Sequence, residues 1–150
     1  MKLDDFKINT KARDDGRRME PVVGWGWFVR AMSYAPFIAE VIRLRSEPPY
    51  CDALLAGGKL REDAVNLTNK RAAAEHLVRT FEPLDDCEHT KPKVLEIFED
   101  ELFVHIWQRV LVFAGDPDNY LGQIPDAELG KSAPSSGGNE GTPATTKGKP

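Results

Sequence analysis

The side chains able to do chemistry are few and scattered along the sequence. The three histidines are His76, His89 and His105, and none lies at a metal-site spacing from a second ligand. Cys51 and Cys87 are far apart and form no Cys-x-x-Cys pair, which predicts two reduced thiols without a disulfide framework or a zinc site. We therefore expect no metal and no cofactor.

An acidic segment near the end of the chain begins like a calcium-binding loop. Residues 116–118 read Asp-Pro-Asp. Such a loop places a glycine at its sixth position and a bidentate glutamate at its twelfth. Leu121 and Ala127 stand there instead, which predicts a solvated acidic loop that binds no calcium. The adjacent carboxylates Asp85 and Asp86 are also expected in a loop, away from an apolar pocket that would raise their pKa.

The glycine patterns that hold phosphates, dinucleotides or a nucleophilic serine do not occur in the sequence. Gly24-Trp25-Gly26 starts a dinucleotide pattern, but Val29 stands where its third glycine belongs. We therefore predict that the protein is not an enzyme.

The charge balance and the hydropathy disfavour two classes of partner. The 150 residues hold 20 basic and 24 acidic side chains, and residues 1–130 hold 17 and 23 of them. An acidic body disfavours nucleic acid, which requires clustered lysine and arginine. The longest apolar runs are about five residues, against ~20 for a bilayer span, and residues 1–10 lack the apolar run of a signal peptide. The sequence thus predicts an intracellular protein with no nucleic-acid or membrane partner.

A period of two marks the N-terminal third as extended structure. Odd positions between residues 19 and 29 are apolar, which predicts a half-buried strand or hairpin. Gly24 and Gly26 indicate a bend or a bulge within it. A weaker strand is predicted around residues 6–9. The apolar odd positions are Met19, Val23, Trp25, Trp27 and Val29.

Helical spacing then predicts three helices and an α+β fold. The first begins near Pro36, with Ser33 as a plausible N-cap, and ends before Pro48-Pro49, and residues 51–59 are expected to be a loop. The second spans about residues 61–81, and the third spans residues 90–113. A small N-terminal antiparallel hairpin or sheet followed by these helices is predicted to form one domain over residues 1–130. Residues 131–150, made mostly of Gly, Ser, Thr, Pro and Ala, are predicted to be a disordered tail.

The third predicted helix is apolar on two nearly opposite sides, and such a helix must be covered on both. Two interpretations stay open: the chain itself covers both stripes, or one stripe docks a partner or a second copy through self-association. The first stripe comprises Leu95, Phe98, Leu102, Ile106, Val110 and Phe113. The second stripe, its flanking aromatics and the aromatic of the acidic loop supply the partner-binding candidates, which are Ile97, Phe103, Val104, Trp107, Leu111 and Tyr120.

Five segments of the chain together indicate a family by their order. They are Asp5-Phe6-Lys7-Ile8-Asn9-Thr10, Trp27-Phe28-Val29-Arg30, Pro36-Phe37, Ala72-Ala73-Ala74-Glu75-His76-Leu77-Val78 with Phe81, and Ala114-Gly115-Asp116-Pro117-Asp118-Asn119-Tyr120. Over about residues 5–130, their order resembles that of the tail assembly chaperones of long-tailed, siphovirus-like bacteriophages. The chain departs from the family pattern at residues 33–35, where Ser-Tyr-Ala precedes Pro36 in place of an expected Asn, and at its Pro-rich segment 48–52.

The resemblance implies a transient, non-catalytic role in tail assembly. Such proteins bind the long tape-measure protein in the cytoplasm of the bacterial host and help to recruit the tail-tube protein around it. On this hypothesis, apolar helix faces of the chain cover exposed helices of the client. Two other functions stay open, namely a structural minor tail or tail-completion protein of the virion, and a small intracellular adaptor or regulatory domain.

Overall fold

The computed structural model describes residues 1–129, which form a three-stranded antiparallel sheet of order β1-β2-β3 and six α-helices. The predicted α+β class with an N-terminal sheet is confirmed. The predicted tail over residues 131–150 lies outside the described residues. In chain order the elements are α1 Thr10–Asp15, β1 Arg17–Val22, β2 Trp25–Val29, α2 Ala35–Arg45, α3 Tyr50–Ala56, α4 Gly58–Ala72, β3 Val78–Phe81, α5 Lys91–Glu99 and α6 Val104–Gly115.

The predicted hairpin is confirmed as β1 and β2. Gly24 occupies its turn with φ +89°, a conformation that a residue with a Cβ rarely adopts. The register shifts between the pairs Met19–Trp27 and Val22–Trp25, so the strand bulges there. Gly26 is not explained by a bend. A Cβ on this residue would lie 2.6 Å from a side-chain oxygen of Glu82, so the glycine leaves room for that side chain.

The third strand was not predicted. The helix expected over residues 61–81 ends earlier: α4 continues as a π-helical turn, Ala73–Leu77, and the chain then extends into β3. Val78 and Phe81 fit helical spacing, which misled the prediction, but β-branched and aromatic residues also favour strands. Pairing with β2, with Thr80 opposite Phe28, decides between the two structures.

The segment between the first two predicted helices is itself helical. Residues 51–59 were predicted to be a loop, yet α3 covers most of them and α4 begins at Gly58. Gly57 and Gly58 have φ +74° and +59°, so they mark the sharp boundary between α3 and α4.

Helix α2 ends at Arg45, before the prolines, as predicted. Its N-cap is Tyr34 and not the predicted Ser33.

The predicted third helix is broken in the middle. Its start is confirmed, because the Thr90 side chain accepts a hydrogen bond from the backbone N–H of Lys93 at 3.1 Å. At Asp100 the backbone leaves the helix, and the Asp100 carboxylate accepts a hydrogen bond from the N–H of Leu102 at 2.9 Å. A short polar side chain thus caps a new turn, the 3₁₀ turn Glu101–Phe103, before α6 begins. The two apolar stripes that were predicted along one continuous helix therefore do not exist.

One cluster of buried side chains joins the sheet to the helices. Its centre is aromatic: Trp27 stacks on Phe81 with ring centroids 5.1 Å apart, and Phe98 lies 4.8 Å from Trp107. The cluster draws on β2 and β3, on α2, α4, α5 and α6, and on the π-helical turn. Its largest members include Trp27, Phe37, Leu77, Phe81, Phe98, Ile106 and Trp107.

The N-terminal segment is tied to the residues that follow α6. Ile8 forms a single antiparallel bridge with Leu121, in place of the strand predicted over residues 6–9. The backbone N–H of Asn9 donates to the carbonyl of Tyr120 at 2.6 Å, and the Asn9 side chain donates to the carbonyl of Gly122 at 2.9 Å. We call this arrangement the terminal clasp.

Candidate protein-docking crevice

An apolar crevice opens between α5, α6 and the loop that follows β3. Its volume is about 310 Å³. We call it the α5–α6 crevice. Nine residues line it, namely Trp25, Leu84, Asp86, Cys87, Lys93, Glu96, Ile97, Phe103 and Ile106.

The floor of the crevice is rigidly held by the aromatic core. The Trp25 ring lies edge-on to Trp27 and to Phe81, with centroids 5.1 and 5.0 Å apart. Its Nε1 donates to the backbone carbonyl of Glu82 at 2.8 Å, so the polar atom of this half-buried ring is already satisfied. Ile97 and Ile106 are buried and complete the floor from α5 and α6. The floor is therefore a preformed apolar surface.

The rim of the crevice is apolar too, although it faces solvent. Phe103 is 41% exposed, and its chain neighbours Leu102 and Val104 are 77% and 44% exposed. Leu84, at the opposite wall, is 43% exposed. Phe103 and Leu84 line the crevice, and together with Leu102 and Val104, the exposed chain neighbours of Phe103, they form what we call the apolar rim. The turn that Asp100 caps exposes three successive apolar residues, and contiguous exposed apolar surface is typical of interaction sites.

The wall that carries Leu84 is a tight turn. The backbone N–H of Leu84 donates to the carbonyl of Cys87 at 2.8 Å, which places Asp85 and Asp86 at the exposed tip. Just behind it, His89 lies edge-on to Phe81 at 5.3 Å. Burial, and secondly the charge of Lys91, lower the pKa of His89, which favours the neutral ring.

The lysines beside the crevice are already paired. Lys93 forms an ion pair with Glu96 at 3.1 Å, and Lys91 forms one with Glu75 at 2.8 Å. The hydrogen bond to Glu96 raises the pKa of Lys93, so its ammonium group stays charged over the neutral range. The remaining charged side chain of the crevice lining is Asp86, which forms no ion pair with a described residue.

The six predicted partner-binding residues separate into two groups. Ile97 and Phe103 line the crevice, and Val104 lies on its rim. Leu111 is half-buried against the core, and Trp107 is 4% exposed within it. These last two pack on the chain itself, so the docking surface proposed below omits them.

Tyr120 is omitted as well, because it is fully buried. Its hydroxyl donates to the backbone carbonyl of Val29 at 2.9 Å, and its ring lies edge-on to Phe113 at 5.7 Å. Burial raises the pKa of the hydroxyl, which keeps it a donor. Sequence reasoning included Tyr120 because an aromatic in an acidic loop resembles an anchor, whereas the structure uses it to hold the acidic segment against β2.

Only two of the nine lining residues, Ile97 and Phe103, were among the predicted partner-binding candidates. Leu84 and Cys87 lie in what reads as a solvated acidic loop, and only the turn between them brings both to the crevice. The feature of the sequence that could have indicated this wall of the crevice is Leu84, an apolar residue between Pro83 and two aspartates.

The described residues offer no grouping of three or more His, Cys, Asp or Glu side chains that could hold a metal ion. Over the same residues, none of the helices combines the length and the apolar content needed to cross a membrane. Comparisons of the chain with protein-family models, with curated protein sequences and with solved structures return no match.

Proposed function

We propose that the protein is a non-catalytic assembly chaperone of the phage-tail type, which holds an apolar segment of a tape-measure protein in the α5–α6 crevice. The resemblance of the segments between residues 5 and 130 supports the class of client. One structural observation supports the site: apolar side chains line and rim a crevice outside the filled core. The tail-tube protein is the second partner in this proposal.

The crevice suits a contact that forms and dissolves during assembly. Each square ångström of apolar surface that a client buries contributes about 25 cal/mol. Because the floor is preformed, little ordering entropy opposes binding. A crevice of about 310 Å³ accepts only a few side chains, so the contact stays small, as transient complexes require.

Co-expression with the tape-measure protein tests the proposal. The unmodified chain should keep the client in the supernatant, and the double variant Phe103→Asp/Val104→Asp should lose most of that effect. Both changes lie at the start of α6, where a carboxylate favours the helix, so the variant should remain folded by circular dichroism.

A matched control is available on α2. Ile38 and Ile42 are 44% and 62% exposed on a helix that contributes no residue to the crevice, against 41% and 44% for Phe103 and Val104. Ile38→Asp/Ile42→Asp should retain client binding. Equal losses in the two double variants would contradict the assignment of the crevice. Abundant copies of the chain in purified particles, detected by mass spectrometry, would contradict a transient chaperone role and favour a virion component.

A further inference from the structure

The net negative charge of the protein is concentrated in one segment. Residues 82–101 hold eight carboxylates and two lysines, whereas the other residues up to 129 hold 15 acidic and 15 basic side chains. The segment comprises the loop after β3, α5 and the start of the turn before α6. Together with α6 these elements wall the crevice, so the excess of carboxylates lies on elements that border it.

The acidic side chains are placed around the apolar rim. Asp86 and Glu96 line the crevice directly. Asp85 is exposed beside the first of them, and Asp100 and Glu101 are exposed immediately before Leu102. Lys93 pairs with Glu96, and Lys91 pairs with Glu75, which lies outside the segment. Arg18 pairs with Glu82. The other six carboxylates of the segment form no ion pair with a described residue.

The crevice offers side chains and not an open backbone edge. Its long walls are α5 and α6, whose backbone groups are paired along the helices. A segment that docks there must satisfy its own backbone hydrogen bonds, which a helix does. An amphipathic helix would place apolar residues at a helical spacing in the crevice, and its flanking residues would lie over the acidic rim.

Resting on the proposed function, we propose that the segment held in the crevice is a basic amphipathic helix of the client, with an apolar face flanked by lysine or arginine. Opposite charges speed the encounter and select against acidic helices. A second copy of the chain docking by the same face would bring two acidic rims together, so self-association by this face is disfavoured.

Two designed peptides test the charge requirement. Both have the same leucine face, one with lysine and arginine on its flanks and the other with glutamate. Fluorescence anisotropy with the full chain should show the basic peptide binding at least tenfold tighter, with an affinity that falls as salt rises. Equal affinity of the two peptides would overturn the proposal.

Variants that lack two carboxylates show whether the charge dependence of peptide binding arises at the crevice. Asp86→Asn/Glu96→Gln should weaken the basic peptide about tenfold and leave the acidic peptide unchanged. The control Asp52→Asn/Glu62→Gln removes the same two charges from exposed positions on α3 and α4 and should change nothing. Equal weakening by both variants would mean that net charge alone acts, which contradicts a docking site.

The outcomes separate this proposal from the proposed function. If neither peptide binds while the tape-measure protein still requires Phe103 and Val104, the basic helix is wrong and the chaperone role stands. If the tape-measure protein itself does not bind, the chaperone role is wrong, and selective binding of the basic peptide would support the basic helix independently. A dimer in sedimentation that Phe103→Asp/Val104→Asp dissociates would identify a second copy as the occupant and overturn the proposal.

Discussion

The Nη1 of Arg30 donates a hydrogen bond to the backbone carbonyl of His76, 2.8 Å away, at the point where the chain leaves its π-helical turn for β3. The backbone N–H of Arg30 donates to the next carbonyl, that of Leu77, also at 2.8 Å. The Nε of Arg30 donates to the carbonyl of Asp14 at 2.6 Å. The side chain of Arg30, directly after β2, thus satisfies one carbonyl near the end of α1 and one near the end of the π-helical turn. These hydrogen bonds hold the end of the π-helical turn where the chain extends into β3 and pairs with β2.

Replacing Arg30 should therefore destabilise the fold strongly. Arg30→Lys keeps the charge but loses the planar fork, which leaves one part-buried carbonyl unpaired and should cost about 2 kcal/mol in the free energy of unfolding. Urea denaturation measures it. Arg43→Lys is the control, because Arg43 forms only exposed ion pairs with Glu40 and Glu47 and should change the free energy by less than about 0.5 kcal/mol. Similar effects of the two variants would contradict the role given to Arg30.

The Tyr120 hydroxyl should contribute to stability and not to binding. Tyr120→Phe leaves the Val29 carbonyl without its buried donor and should cost about 1 kcal/mol, whereas Tyr120→Ala also removes a buried ring and should cost about 3–5 kcal/mol. Chemical denaturation gives both values. Client binding by folded Tyr120→Phe should equal that of the unmodified chain, and a selective loss would return Tyr120 to the docking surface.

His89 should make the protein less stable in mild acid. Burial lowers its pKa below the ordinary 6.5, so the unfolded chain binds a proton more readily than the folded chain does. The stabilising effect of the neutral ring is complete above about pH 6.5 and is lost as the pH falls below it. His89→Phe keeps an aromatic ring near Phe81 and should reduce the fall in melting temperature between pH 7 and pH 5. His105→Gln, at an exposed position of α6, should leave that fall unchanged.

Cys87 should report occupation of the crevice. In a Cys51→Ser background, a maleimide should alkylate the half-buried Cys87 thiol, and saturating client should slow the reaction at least tenfold. Alkylation of Cys51 in a Cys87→Ser background is the counterpart, since Cys51 is also half-buried but lies on α3. Its rate should not respond to the client. Protection of Cys51 alone would place the client on a different face.

The hairpin, the end of α2 and the start of α5 could be predicted because each has a local cause. Alternation along β2 and the Thr90 cap are such causes. The identity of β3 could not be predicted, since four residues fit both periodicities and pairing with β2, about 50 residues away, decides the outcome. The break at Asp100 depends on one side chain that competes with a helix whose apolar spacing continues through it.

The candidate site was harder to predict than the fold. Ile97 and Phe103 were among the candidates because an excess of apolar residues on a predicted helix is visible in sequence, although the structure places them on α5 and on the 3₁₀ turn before α6. The opposite wall is not visible, since Leu84 and Cys87 reach the crevice only through a turn inside an acidic stretch. Trp107 and Tyr120 look the same in sequence as exposed anchors, and only the packing shows that they are buried.

The terminal clasp has a consequence for vectorial synthesis on the ribosome. The long-range hydrogen bonds that Asn9 donates are accepted by the carbonyls of Tyr120 and Gly122, more than 100 residues later in the chain. The N-terminal segment therefore emerges early but has no place to dock until nearly all of the described residues have been made. Folding of such distant contacts is slow compared with local helix formation. The last native contacts of this protein should thus close only after synthesis has passed residue 122.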